Sequence, residues 1–115
     1  MQFVYIKVFD RRYKEDIILA LQSSGISRAS YVDSQDLEQE LSDDIGLFRG
    51  FFDPDRHKGE QGLIFALAEA ESQIAETLDN LRAAGLKIDS DEIIRLLAWP
   101  VTYYFDSFLG QSTDS

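Results

Sequence analysis

The chain has 115 residues, of which 44% are hydrophobic and 28% are charged, values that are typical of one globular domain rather than of a disordered or fibrous chain. Its 21 acidic and 11 basic residues give a formal net charge of −10, which disfavours binding to the phosphate backbone of nucleic acids. The sequence has no cysteine, no apolar run near the roughly 20 residues of a membrane span and no signal-peptide pattern, so we expect a cytoplasmic protein that does not insert into a membrane.

The first part of the chain changes from a strand pattern to a helix pattern and back. Residues 2–9 alternate with a period of two and are rich in β-branched and aromatic side chains, which predicts a strand. Residues 11–24 carry apolar side chains at three- and four-residue spacing, and Gly25 stands where a glycine ends a helix. Residues 26–33 predict a second strand. Its apolar anchors are Ile26, Tyr31 and Val32.

The same order of patterns recurs later in the chain. Residues 62–68 are a continuous apolar run of strand length, and residues 70–84 predict an amphipathic helix that ends before Gly85. Residues 92–99 suit either a helix or a strand by periodicity, but their β-branched pair and the following Pro100 favour a strand. The chain therefore contains two strand-helix-strand halves.

A short repeat at the two helix ends supports this division. The segments ALQSSGI (20–26) and NLRAAGL (80–86) share a leucine, a small residue before a glycine, and an aliphatic residue after it. Two such halves hide their helix and sheet faces jointly in a ferredoxin-like βαββαβ fold of class α+β, with a four-stranded antiparallel sheet and two helices on one face. We expect a single domain over residues 1–115, with a long connection over residues 34–61.

The end of that connection is a candidate anion-binding site. Lys58, Gly59 and Gly62 could present one ammonium group and closely approachable backbone N–H groups to a ligand, although the spacing is not that of a P-loop. His57 could bond a phosphate. The alternatives are a turn that leads into a strand and a solvated loop histidine.

Three phenylalanines earlier in the connection form a candidate interface with a partner or with another subunit. Phe48, Phe51 and Phe52 lie close together, and leaving them in water is costly, whereas the neighbouring glycines and proline oppose a regular core element. A second aromatic cluster occupies residues 99–108, and we expect the tail over residues 100–110 to pack on the body of the domain. For both clusters the alternative to an interface is an extra layer of the monomer core.

No catalytic or metal-binding constellation is recognisable. The carboxylates between Asp33 and Asp44 lack the spacing of a calcium loop, and the lone histidine has no cysteine or GxSxG serine to activate. We therefore predict no catalytic residues, no metal ligands and no enzymatic activity.

The order of elements, the segment LSDDIGLFRGFFD before the third strand and WPV with an aromatic cluster and Gly110 after the fourth resemble PII-like signalling proteins, the superfamily of the nitrogen regulatory protein PII. The resemblance covers residues 2–110. It implies a homotrimer that senses a small molecule in clefts between subunits and regulates a protein partner, such as an enzyme or a transporter. The process that it implies is nitrogen regulation.

The resemblance also bears on a cofactor. Family members bind adenine nucleotides with a loop before the third strand and with arginines after the fourth. The segment HKGEQGLIF resembles the nucleotide-binding loop before the third strand, with Lys58, Gly59 and Gly62 in comparable positions. The arginines after the fourth strand have no counterpart, since no Lys or Arg follows Arg95. The cofactor therefore stays unknown, with a nucleotide left open. Two other functions also stay open: a small metal-dependent enzyme on the same fold, and a trimeric assembly module without a ligand.

Overall fold

The computed structural model describes residues 1–35, 37 and 61–107. Within residues 1–35 and 61–107, the strands are β1 (Gln2–Val8), β2 (Arg28–Ser34), β3 (Gln61–Ala68) and β4 (Ile94–Pro100), and the α-helices are α1 (Lys14–Ser23) and α2 (Glu71–Ala83). The strands form one antiparallel sheet in the order β2-β3-β1-β4. This is the ferredoxin-like α+β fold that the sequence predicts.

Strand β1 supplies the centre of the core. Its alternation, which predicted the strand, places Val4, Ile6 and Val8 in full burial on the side of the sheet that carries the helices. In register with them on β3 lie Ala66, Ile64 and Gly62. The helices close this core with buried apolar residues, which are Ile17, Ala20 and Leu21 of α1 and Leu81 of α2.

Both helices end in the same hydrogen-bonded motif, which confirms the sequence repeat as a structural one. Gly25 and Gly85 have φ angles of +88° and +92°, a backbone conformation that favours glycine. The next residue turns back in each case: Ile26 donates its N–H to the Leu21 carbonyl at 2.9 Å, and Leu86 donates to Leu81 at 3.0 Å. The two aliphatic pairs pack together in the core and fix the exit direction of each helix.

Three predicted boundaries shift for local reasons. The first predicted turn of α1 is a 3-10 turn, Arg11–Tyr13, because the Asp10 carboxylate accepts the Arg12 N–H at 3.0 Å. Strand β2 begins at Arg28, since Ile26 belongs to the turn that ends α1. Strand β4 extends to Pro100, which is tolerated as the last residue of an edge strand.

Candidate functional site

One predicted ligand-binding residue, Gly62, lies in β3, in register with Val8 and Asp33. It is buried, and a Cβ atom added to it would overlap the phenol ring of Tyr31. The close packing of this ring gives Gly62 a structural reason to be glycine, and its role toward a ligand stays a prediction. The other predicted site residues, His57, Lys58 and Gly59, and the interface residues Phe48, Phe51 and Phe52 lie outside the described residues.

A cleft of about 650 Å³ opens at the opposite end of the sheet. Antiparallel pairing brings the start of β1, the start of β2 and the ends of β3 and β4 to this end. The lining includes Gly25, Ser27, Arg28, Ala68, Glu69 and Thr102. The cleft thus combines hydroxyl groups, one guanidinium, one carboxylate and apolar walls, a lining that suits a small polar ligand.

The chain crosses this end of the sheet after β4. The Val101 N–H donates to the Met1 carbonyl at 3.0 Å, beside β1, and the segment then reaches Arg28 at the start of β2. We call the segment over Val101–Asp106 the C-terminal strap. Its far end is held by three polar groups: the Arg28 guanidinium donates to the Tyr104 hydroxyl, and that hydroxyl donates to the Asp106 carboxylate at 3.0 Å. Arg28 Nη1 also lies 4.0 Å from Asp106 Oδ2.

The electrostatics of this triad favour a protonated phenol. The pKa of Tyr104 lies above its ordinary value. The main cause is loss of solvent around the hydroxyl, and the second is its hydrogen bond to Asp106. The guanidinium stacks near the same ring, 5.8 Å from its centroid. Tyr104 therefore acts as a neutral bridge between the cation and the carboxylate.

The strap packs only in part on the domain body. Val101 and Tyr104 are half-buried, whereas Tyr103 is 84% exposed and Phe105 is 69% exposed. The expectation that the tail packs on the body is therefore wrong for these two rings, because the rings alternate along an extended segment and only one side of it faces the protein. Residues 108–110 of the predicted tail lie outside the described residues.

The face of the sheet without helices is largely apolar, and we call it the apolar sheet face. Its apolar residues are Phe3, Tyr5, Leu63, Phe65, Leu67, Leu97 and Trp99, and Lys7 and Arg95 lie in register on the same face at the end away from the cleft. Ring centroids lie 5.1 Å apart for Phe3 and Trp99 and 6.1 Å apart for Phe3 and Phe65. Arg28 pairs with Leu67 in register, so the cation of the cleft lies at the edge of this face. Leu97 is 50% exposed, which places part of the face in water in the single chain.

Two properties of the described residues bear on membrane and metal binding. No helix within residues 1–35 and 61–107 is long and apolar enough to span a membrane. Over the same part of the chain, no three histidine, aspartate or glutamate side chains gather in a way that could hold a metal ion.

Sequence reasoning missed Arg28, Tyr104 and Asp106. The sequence has no Lys or Arg after Arg95, whereas the fold brings Arg28 of β2 to the segment that follows β4. The signal available was topological: in the predicted βαββαβ order, the start of β2 and the end of β4 meet at one end of the sheet.

Comparisons with known proteins agree with the fold. No family model and no curated protein matches the sequence. Among solved structures, the chain is similar to CPII, a protein of the PII family from Thiomonas intermedia K12, in a structure bound to ADP, AMP and acetate. The TM-score is 0.54, the sequence identity is 13%, and the match covers 89% of this chain and 88% of that one. At this identity the likeness shows a PII-like fold.

Proposed function

We propose that the protein is a cytoplasmic, PII-like regulatory protein that forms a homotrimer, binds a small anionic metabolite between subunits and acts on a protein partner in nitrogen regulation. The observation that carries the proposal is that the cleft lined by Arg28, which we call the Arg28 cleft, borders the apolar sheet face. The two meet where Arg28, Leu67, Phe3 and Trp99 lie side by side on the four neighbouring strands. A neighbouring subunit that covers this face also closes the side of the cleft.

The apolar sheet face supports self-association. Monomeric proteins rarely expose contiguous apolar patches beyond a few hundred Å². The chain carries a net charge of −10, yet this face is composed mainly of aromatic and aliphatic residues. Lys7 and Arg95 lie at one end of the face, and the enrichment of aromatic residues over the rest of it is typical of interface cores.

The separation of the two candidate ligand groups supports a site between subunits. Gly62 lies at one end of β3 and Ala68, beside the cleft, at the other. Six residues of strand correspond to about 20 Å, which is too far for one small ligand to contact both ends within one chain. A head-to-tail ring of subunits can bring residues 58–62 of one subunit to the Arg28 cleft of the next.

The chemistry of the cleft supports an anionic ligand. Arg28 can form two parallel hydrogen bonds to a carboxylate or a phosphate, and Ser27 and Thr102 add hydroxyl groups. The ligands in the similar CPII structure, namely ADP, AMP and acetate, are all anions, and they supply the first compounds to test. Arg28 takes the role of the cation that the sequence lacks after Arg95.

The proposal for the partner concerns the connection between β2 and β3. Phe48, Phe51 and Phe52 dock a protein partner or the neighbouring subunit, since aromatic anchors dominate such contacts. Phe51→Ala and Phe52→Ala should either weaken the trimer or leave it intact and abolish partner capture. Variants that stay stable, trimeric and competent in capture would contradict this assignment.

Calorimetric titration of the purified protein with ADP, AMP and acetate tests the function, with light scattering in the same buffer. We expect a trimer mass and saturable binding of at least one of these anions that weakens in Arg28→Gln and in Lys58→Ala. A monomer mass at micromolar concentration contradicts the trimer. Turnover of a bound compound would favour the metal-dependent enzyme, and a trimer that binds none of these compounds would favour the assembly module.

A further inference from the structure

The C-terminal strap is tied across the cleft at its two ends by polar contacts. The near end is the backbone hydrogen bond from Val101 to Met1, and the far end is the contact of Arg28 with Tyr104 and Asp106. Between these ends, Tyr103 points its ring into solvent. The far end of the strap is therefore tied to the start of β2 through Arg28.

That far contact is weak enough to exchange. The side chain of Arg28 is 40% exposed and that of Asp106 is 33% exposed, and their charged atoms are 4.0 Å apart, at the outer limit of an ion pair. Half-exposed ion pairs contribute little because water solvates both groups well. A ligand carboxylate or phosphate that meets the guanidinium with two parallel hydrogen bonds makes a stronger contact.

The Asp106 carboxylate thus lies beside Arg28, which is the one arginine that lines the described cleft. We propose that the strap is a displaceable latch: an anion with a carboxylate or phosphate group takes Arg28 from Asp106 and releases the far end of the strap. This inference rests on the proposed function, since it assumes that the cleft is where the anion binds.

Release of the latch changes the surface of the protein. Tyr104 loses its contact with Arg28, and the rings of residues 103–105 become able to move together away from the sheet end. The far end of the strap then leaves the edge of the apolar sheet face at Arg28 and Leu67, while Val101 stays tied to Met1. Binding of a small anion is thereby converted into a change that a protein partner can recognise. Because coupling between sites is reciprocal, a partner that holds the released strap also tightens the binding of the anion.

The absence of cysteine from the chain allows a direct test. A nitroxide on Ser107→Cys, next to Asp106, reports the mobility of the strap by electron paramagnetic resonance, and the same label on Ser72→Cys in α2 is the control. We expect an immobile strap label in the unliganded protein and a mobile one in the Arg28→Gln background without any ligand. Equal mobility of the strap label in both backgrounds would overturn the latch.

Anion binding gives a second test. Asp106→Asn keeps the shape of the side chain but removes the competing charge, so the affinity for ADP or acetate should rise about twofold to fivefold, the range that a half-exposed ion pair worth up to about 1 kcal/mol gives. Glu69→Gln removes another carboxylate that lines the cleft and measures the general gain from lower negative charge. An equal gain in both variants would overturn the competition.

The failures of the two proposals can be told apart. If ADP, AMP, acetate and inorganic phosphate bind neither the wild-type protein nor Asp106→Asn, the proposed function fails. The mobility of the strap label in Arg28→Gln then still shows whether Arg28 holds the strap in place. If one of these anions binds while the strap label stays immobile at saturation, the latch fails and the binding function stands.

Discussion

The hydroxyl oxygens of Ser24 and Thr77 lie 2.5 Å apart, buried between the end of α1 and the middle of α2. Each hydroxyl also lies within hydrogen-bond distance of a helix carbonyl, Ser24 of Leu21 at 2.9 Å and Thr77 of Gln73 at 2.8 Å. Two protons serve three contacts, so one hydroxyl donates to the other while the second keeps its carbonyl. The two halves of the chain are thus joined by a polar contact inside an otherwise apolar core.

We expect Thr77→Val to lower the free energy of unfolding by about 1 kcal/mol, the net value of one hydrogen bond, since Val keeps the shape and Ser24 keeps its carbonyl. Ser24→Ala should cost a similar amount. Urea unfolding of both variants and of the double variant measures the coupling. The double variant should lose clearly less than the sum of the two; additive losses would show that the hydroxyls do not act as a pair.

Gly62→Ala should destabilise the protein by about 1–3 kcal/mol, because the added methyl group overlaps the Tyr31 ring and forces the strand or the ring to move. The same substitution in a Tyr31→Ala background should cost much less. Thermal unfolding compares the four proteins. An equal cost in both backgrounds would mean that Gly62 is needed for another reason, such as the approach of a ligand.

Asp10 should make stability depend on acid pH. Its hydrogen bonds from the Arg12 side chain hold the pKa of Asp10 below its ordinary value despite partial burial. The folded state therefore gains stability from the ionised carboxylate above the unfolded pKa near 3.8, and this gain is lost as pH falls through the lower folded value. Asp10→Asn should lose less stability than the wild type between about pH 5 and pH 2.

The neutral-pH comparison separates the charge of Asp10 from its capping role. Asp10→Ala removes the acceptor of the Arg12 N–H and should cost about 0.5–2 kcal/mol at pH 7, whereas Asp10→Asn keeps an acceptor and should cost less. Chemical unfolding at pH 7 and at low pH provides both measurements. Parallel pH profiles for the wild type and Asp10→Asn would refute the role of the charge.

Leu97→Glu should dissociate the proposed trimer. Leu97 lies on the apolar sheet face at 50% exposure, and a buried carboxylate without a partner is costly in an interface. Leu19→Glu is the matched control, since Leu19 on α1 is 58% exposed and lies away from that face. Light scattering should give a lower mass for Leu97→Glu only. A lower mass for Leu19→Glu alone would place the interface on the helices.

The sequence predicted what periodicity and turn chemistry determine. The alternation of residues 2–9 indicated strand β1, and the two glycine-ended helices were found because positive φ strongly selects glycine; which side of β1 is buried became clear only from the structure. The sequence could not predict the partner of Arg28, because that contact joins residues 76 positions apart and depends on how far the strap extends beyond β4. The buried pair of Ser24 and Thr77 was also missed, since two small polar residues carry no periodic signal.

A mixing experiment tests the proposed site between subunits most directly. Arg28→Gln and Lys58→Ala should each weaken binding of the anion that the wild type binds best, so that calorimetry detects none at concentrations that saturate the wild type. When the two variants are co-expressed and assemble at random into closed rings, about one quarter of the sites unite an intact Lys58 with an intact Arg28 from the neighbouring subunit. We predict binding restored to roughly 0.25 sites per subunit at wild-type affinity. Wild-type binding with no restoration in the mixture would contradict a site that two subunits build together.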